Sequence, residues 1–281
     1  MTAIPAVTAH DGLTLPVIGF GTYRLNGAAG ADTIARANDH GYALLDSAFN
    51  YENEGAAGRG VRASGHDRAE LVVTSKLPGR HHAYDEARVT IEESVHRTGL
   101  DYLDLDLYLI HWPNPRVDRY VEAWRALLDA RESGLVKAIG VCNFLPEHLE
   151  RLQAETGVLP SVNQIELHPF FPQTDALAYH AEHGILTEAW SPLGRGNDLL
   201  RHPVITGIAR DHEATPGQVV LVWAMARGAI PLPKASSEAR QIENLEAVDL
   251  ELSPDEVAAL TALGRPDGRT YGQDPASYEG F

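Results

Sequence analysis

Residues 44–61 read LLDSAFNYENEGAAGRGV. A short apolar run stops at Asp46 and passes at once into a polar, glycine-punctuated segment, which is the texture of a strand leaving the core. That texture recurs. Short β-branched or leucine-rich runs (LPVIGF, ALLDS, LVVTSK, LDLYLIHW, VKAIGVCNF, SVNQIEL, ILTEAW and AIPLPK) alternate with longer segments whose apolar residues are spaced for a helix. Repeated strand-helix units with short connections predict a parallel sheet, and eight of them point to a closed (β/α)8 TIM barrel, class α/β.

The helical segments carry their own punctuation. VDRYVEAWRALLDARESG ends in the Ser133-Gly134 stop signal, and YDEARVTIEESVHRTG has helical apolar spacing. Pro146, Thr215-Pro216 and Ser253-Pro254 mark further helix starts, because proline suits a first helical position. Two short alternating segments around Asp11-Gly12 predict an N-terminal β-hairpin, and ELSPDEVAALTAL an extra C-terminal helix packed outside the barrel. An open doubly wound sheet is the rival architecture. Its usual G-x-G-x-x-G mark fails here, since Arg24 stands where the third glycine of Gly19-Phe20-Gly21-Thr22-Tyr23-Arg24 would be. With no linker or low-complexity tract, residues 1–281 are read as a single barrel domain.

Composition narrows the partners. The formal charge is −16, from 39 acids against 23 bases, which argues against nucleic acid or anionic membrane as a partner. An anionic ligand then needs a local cationic cluster. Cys142 is the only cysteine, so neither an intrachain disulfide framework nor a cysteine-rich metal cage is expected, and a cytoplasmic location fits. No basic segment followed by a long apolar one opens the chain, so no secretory signal is read. A monomer is expected.

In a parallel barrel, chemistry gathers where the strands end. The polar residues at those positions are Asp46, Lys76, His111, Asn143, Gln164, Glu166, Glu188, Trp190 and Lys234, with Tyr51 one loop turn beyond Asp46. A buried lysine needs a counter-charge, which Asp46 can supply. An ammonium beside a tyrosine favours the phenolate and is expected to lower a pKa that starts near 10, making the phenol a general acid near neutral pH. His111, as imidazole or as imidazolium, is suited to orienting a substrate oxygen.

These same residues carry a resemblance. GYALLDSAFNYENEGAAGRGV resembles the first signature of the aldo-keto reductases. LVVTSK, LYLIHWP and VKAIGVCNF follow in that family's order, and IPLPKASSEARQIEN is similar to its cofactor signature. The resemblance implies a metal-free barrel that reduces small carbonyl substrates with NADPH. Tyr51 would be the proton donor, Lys76 its neighbour, Asp46 the partner of Lys76, and His111 the group that orients the carbonyl. It further implies Asn143 and Gln164 on the nicotinamide carboxamide and Trp190 stacked on the ring. Gly21, Thr22, Ser191, Leu193 and Gly194 would line the cofactor. Lys234, Ser236 and Arg240 would hold the 2′-phosphate, with Asn244 near the adenine. Tyr23, Phe49 and Trp112 are expected in the carbonyl pocket, and the tail aromatics Tyr271, Tyr278 and Phe281 are weighed between that pocket and plain packing. Two departures stand out: Cys142 replaces the usual serine before Asn143, and Ala235 replaces a hydroxyl residue after Lys234, which leaves the strength of the NADPH preference open.

Taken singly, Asp46 reads as a helix cap, Lys76 as a solvated strand end and His111 as a core histidine. Their joint occurrence in one order favours the functional reading. The pairs His81-His82 and His180/His183 lack a metal-binding pattern and are expected to be solvated loop or helix residues. An NADP(H)-occupied redox sensor with little turnover and a metal-dependent barrel hydrolase are the competing functions. The short HWPNPRVDRY connection and compact tail resemble those of the short bacterial members of the aldo-keto reductase family, and the resemblance implies an open site that accepts small aldehydes, α-dicarbonyls or keto-sugars such as 2,5-diketogluconate.

Overall fold

All eight expected barrel strands form, and their inward and outward faces follow from the two-residue period of a strand. The structure, a computed structural model, describes residues 4–100 and 105–281. A hairpin of β1 (Ala6–Thr8) and β2 (Thr14–Pro16) precedes β3 (Phe20–Gly21), β4 (Leu44–Asp46), β5 (Val72–Leu77) and β6 (Leu105–Ile110). Then come β7 (Val136–Cys142), β8 (Val162–Glu166), β9 (Leu186–Trp190) and β10 (Ala229–Pro231). Strands β3 to β10 pair in parallel in sequence order. Two backbone bonds close the ring: Gly19 N–H donates to Pro231 O (3.0 Å) and Gly21 N–H to Pro233 O (3.1 Å). The glycines are required at this seam, because a Cβ on Gly19 would lie 2.6 Å from Leu232 Cδ2, and one on Gly21 would lie 2.9 Å from Leu232 O.

Inside the ring, Leu44, Leu107, Leu109, Ala138, Cys142, Val162, Ile230 and Leu232 form one buried cluster, and Leu15 of β2 reaches it from the hairpin. Burying one such leucine stabilises the fold by about 2 kcal/mol. The hairpin is thereby a floor to the barrel. Its loop turns at Gly12, whose φ of 95° is open to glycine alone without strain.

Among the described residues ten helices alternate with or follow the strands: α1 (Gly27–Asp39), α2 (Glu54–Ala63), α3 (Tyr84–Thr98), α4 (Tyr120–Glu132) and α5 (Pro146–Thr156), then α6 (Thr174–Glu182), α7 (Pro203–Asp211), α8 (Pro216–Ala226), α9 (Glu238–Leu245) and α10 (Pro254–Thr261). The proline starts of α5, α8 and α10 fall where the sequence places them. Helix α4 stops at Ser133, with Gly134 at φ 76°. Helix α10 opens with a capping box between Ser253 and Glu256, buries Leu260 and packs on α7 and α8, outside the barrel as expected. Between helices and sheet lies the larger core, with Trp124, Tyr108, Ile34 and Phe144 among its enclosed side chains. Among the described residues, no helix is long and apolar enough to cross a membrane.

Candidate active site

The inward two-residue period that is apolar low in the barrel turns polar at its C-terminal rim. Leu44 gives way to Asp46, Leu109 to His111, Val162 to Gln164 and Leu186 to Glu188, while on β5 Lys76 follows the already polar Thr74. Lys76 is wholly enclosed. Its Nζ donates to Asp46 Oδ1 at 2.5 Å and to Ser47 O at 2.7 Å, and lies 3.4 Å from the Tyr51 hydroxyl. Burial pulls the lysine pKa down, but Asp46 and its other neighbours outweigh that and hold the ammonium above its usual range.

Local structure explains how Tyr51 arrives there. After Asp46 the chain runs extended through Ala48, then tightens into a 3-10 turn over Phe49–Tyr51 that ends at a left-handed Glu52 (φ 53°). Asn53 fixes this turn from behind: its Nδ2 donates to Thr22 O (2.7 Å) and Leu25 O (3.2 Å), and its Oδ1 accepts from Ser47 Oγ (2.8 Å). Asn26 Nδ2 donates to Tyr51 O at 3.0 Å. Thr22, expected against the cofactor, is buried instead, with its hydroxyl donating to Asp46 O at 2.8 Å. It holds the strand end that carries the acid.

The expected acidity of Tyr51 needs correction. Burial pushes its pKa up to about 12, and the opposing pull of Lys76 is the smaller effect. Tyr51 is therefore a hydroxyl throughout the physiological range. His111 is settled in the opposite sense: burial first, then the Lys76 charge, push it down to about 3, so the imidazole is neutral. Its Nδ1 is buried with no hydrogen-bond partner among the described residues. The two rings stand edge-on, with centroids 5.9 Å apart.

Above the cluster opens a cleft of about 670 Å³. Of the residues expected there, Gly21, Tyr23, Asp46, Tyr51, Trp190, Ser191, Leu193 and Lys234 line it. Asn143 lies one contact away: its Oδ1 accepts from Trp190 Nε1 (2.8 Å) and its Nδ2 donates to His111 O (3.2 Å). Gln164 sits deeper, with its amide nitrogen donating to Asp46 and Glu188, so only its carbonyl oxygen is left for a carboxamide. Gly194 is buried in the 190s loop at φ 70°. Lys234 and Ser236 are exposed and hydrogen-bonded to each other (3.3 Å), and Arg240 is exposed on α9, outside the cleft lining, with Asn244 of the same helix buried. Phe49 does not face the cleft: its ring lies against the guanidinium groups of Arg97 (3.9 Å) and Arg80 (5.2 Å). Trp112 is nearly enclosed, packing on Tyr278 (4.6 Å) and Trp190 (6.5 Å).

The structure also adds Arg24, Pro192, Arg195, Leu232, Pro233 and Gln273 to the lining, and Tyr271, weighed between pocket and packing, lines it as well. The Arg195 guanidinium stands over both Tyr23 (5.0 Å) and Tyr271 (5.4 Å), and Arg24 over Tyr23 (5.2 Å). Tyr23 in turn meets Tyr51 edge-on at 5.1 Å. Arg24, Ser191, Arg195 and Tyr271 all have left-handed backbone, with φ between 49° and 63°; such conformations cost about 1 kcal/mol or more each and concentrate where function holds them. The sequence signals were the arginine in place of a third glycine and the lone cation of the WSPLGRG loop.

One histidine of each pair, His82 and His180, is buried against expectation, while His81 and His183 are partly exposed. His82 is buried with neither ring nitrogen partnered, and His180 is buried between Asn163 Nδ2 (2.9 Å) and Thr187 Oγ1 (2.8 Å). His183 stacks on Tyr179 at 4.1 Å. These are core and packing residues, with no grouping of metal-binding side chains among the described residues.

A parallel barrel whose rim holds a lysine between an aspartate and a tyrosine, under a cleft with unpaired cations at its mouth, defines a class of barrel oxidoreductases. The sequence pattern of the Aldo/keto reductase family matches residues 17–265, and the chain belongs to that family. It is 48% identical over 279 residues to 2,5-diketo-D-gluconic acid reductase B of Corynebacterium sp. (strain SHS752001), covering 99% of each chain. An aldo-keto reductase of Mycolicibacterium smegmatis is 41% identical, with 98% of each chain covered. Among solved structures, a variant of Gox0644 in complex with NADPH superposes with a TM-score of 0.92 at 41% identity, covering 98% of each chain. An aldo-keto reductase of Bombyx mori in complex with NADP gives 0.89 at 31% identity, covering 100% of this chain and 99% of that one.

Proposed function

We propose that the protein is an NADPH-dependent reductase that converts small aldehydes, α-dicarbonyls or keto-sugars to alcohols, with Tyr51 as proton donor. The observation that carries this reading is Lys76 Nζ placed between Asp46 and the Tyr51 hydroxyl at the floor of the cleft. When bound, NADPH supplies the hydride that the carbonyl carbon accepts.

The donor set fits such a cofactor. Lys234 and Arg195 line the cleft of an acidic protein with no carboxylate partner among the described residues, and Arg240 is exposed on the neighbouring helix. Cations held free of ion pairs suit phosphate oxygens. At Gly21 the backbone comes so close to Leu232 that no side chain fits, which leaves the cleft wall flat. Lys234, Ser236 and Arg240 would hold the 2′-phosphate, Arg195 with the Ser191–Gly194 loop the pyrophosphate, and Trp190 the nicotinamide face.

Tyr51 donates its hydroxyl proton to the carbonyl oxygen as negative charge builds there. The Lys76 ammonium stabilises the phenolate left behind, so its pull matters most in the transition state. Neutral His111 donates one N–H to the same oxygen and carries no proton of its own to the product. Asp46 keeps Lys76 charged inside the barrel. Arg24 beside Tyr23, and the 2,5-diketo-D-gluconic acid reductase relative, favour a carbonyl substrate that bears an acid group.

The test is Tyr51→Phe assayed by NADPH consumption over a panel of aldehydes, diketones and keto acids. Loss of general-acid catalysis lowers turnover about 100-fold or more, with NADPH affinity, read by fluorescence, unchanged. Full turnover in that variant would refute the mechanism. NADPH binding without consumption by the wild-type protein across the whole panel would favour the sensor.

A further inference from the structure

Glu188 is fully buried in the barrel and takes no part in the chemistry just described. A single nitrogen ties it to the catalytic pair: Gln164 Nε2 donates to Asp46 Oδ1 at 2.8 Å and to Glu188 Oε2 at 2.7 Å. Two carboxyl groups thus stand within reach of one amide, and one cation, Lys76, already committed to Asp46, serves the enclosure. Glu188 Oε1 has no hydrogen-bond partner among the described residues.

The other groups facing Glu188 supply no charge to balance it. Gln164 of β8 is neutral, Ile230 is its register partner on β10, and Cys142 of β7 is a buried thiol pushed up by its own burial. Across the barrel stand Asp46 of β4 and Lys76 of β5. An ionised Glu188 would place a second negative charge in a space holding one positive charge, which favours keeping a proton on it. Burial first, then Asp46, push its pKa up to about 7.

Resting on the reductase reading, we propose that Glu188 is a positioning residue that governs the acidity of Tyr51 through Asp46 and Lys76. With Glu188 neutral, the enclosure holds one cation and one anion, and Lys76 is free to stabilise the phenolate that proton donation creates. With Glu188 ionised, the enclosure gains a net negative charge, Lys76 is drawn to it, and Tyr51 gives up its proton less readily. Reduction therefore slows as the pH rises through neutrality, before Tyr51 itself titrates.

Two measurements decide it. The first compares pH profiles of kcat/KM for NADPH-dependent carbonyl reduction in the wild type and in Glu188→Gln, with Glu188→Leu as the neutral variant if the amide fails to fold. The wild type falls about threefold across neutrality, as expected of a charge acting through an intermediate pair, while the variant stays level there. A variant-to-wild-type ratio that is constant with pH overturns the proposal and leaves the reductase reading intact. The second needs no turnover: infrared difference spectra carry the carbonyl-stretch band of a protonated carboxylic acid below neutrality, lost above it and missing from the variant. Spectra that do not differ between wild type and variant overturn the proposal. Absence of NADPH consumption by the wild type overturns the reductase reading, and the infrared band still decides whether Glu188 holds a proton.

Discussion

Replacing Lys76 by methionine isolates what the buried ion pair does for the fold. The substitution keeps most of the side-chain volume and removes two charge-assisted hydrogen bonds, to Asp46 Oδ1 at 2.5 Å and to Ser47 O at 2.7 Å. Hydrogen bonds to charged groups contribute about 1.5–3 kcal/mol each, so their loss costs about 3–6 kcal/mol. The same answer comes from the electrostatic side, since stripping one partner from a buried pair costs about 3–5 kcal/mol. Asp46 is left with the Gln164 amide as its remaining side-chain donor. The double variant Lys76→Met/Asp46→Leu removes both charges and the desolvation each required, so it should be more stable than Lys76→Met alone by about 1–3 kcal/mol. Urea unfolding at neutral pH, with m-values compared to confirm that the same surface is exposed, reads both differences. Both variants should be inactive. If Lys76→Met cost less than about 1 kcal/mol, as for an exposed pair, or if the double variant showed the sum of the two single losses, the account of Lys76 as a charge held by Asp46 would be wrong.

Gly21→Ala places a Cβ 2.9 Å from Leu232 O, a backbone atom that cannot swing away, so the seam of the barrel must shift. A loss of about 1–3 kcal/mol in thermal or urea unfolding, with weaker NADPH binding, is expected. His82, buried and unpartnered, is pushed down to about 4 by burial and by His81. The unfolded chain binds a proton there below about pH 6.5 and the folded chain does not, so the stability His82 contributes is present above 6.5 and lost as the pH falls toward 4. The gap is worth about 3 kcal/mol, and His82→Leu should flatten the acid limb of stability against pH by that amount, as read in urea melts at stepped pH.

Much of the barrel and its polar rim was legible because both obey one rule. A strand repeats every two residues, so the inward row that begins with Leu44 must continue at Asp46, and the row through Leu109 must end at His111. Those positions depend on the pattern within single segments. Arg24, Arg195 and Tyr271 reach the cleft through left-handed turns and a tail that folds back, and no local periodicity encodes either. Phe49 illustrates the limit: its position two residues before Tyr51 suggests the pocket, but the 3-10 turn carries its ring out to Arg97 and Arg80. The acidity of Tyr51 shows another. The sequence names the cation beside the phenol, yet the competing effect is burial, which only the packed chain creates.

The seam between β3 and β10 joins residues more than two hundred positions apart, and the cleft lies across it, with Gly21 on one bank and Leu232, Pro233 and Lys234 on the other. The cleft therefore lies across one of the longest-range contacts among the described residues. Chain emerging from synthesis can form seven strands and still own only half a cleft. Ligand affinity on this protein reports that the ring has shut, and a ligand spanning both banks acts as a clasp on the slowest-formed joint of the fold.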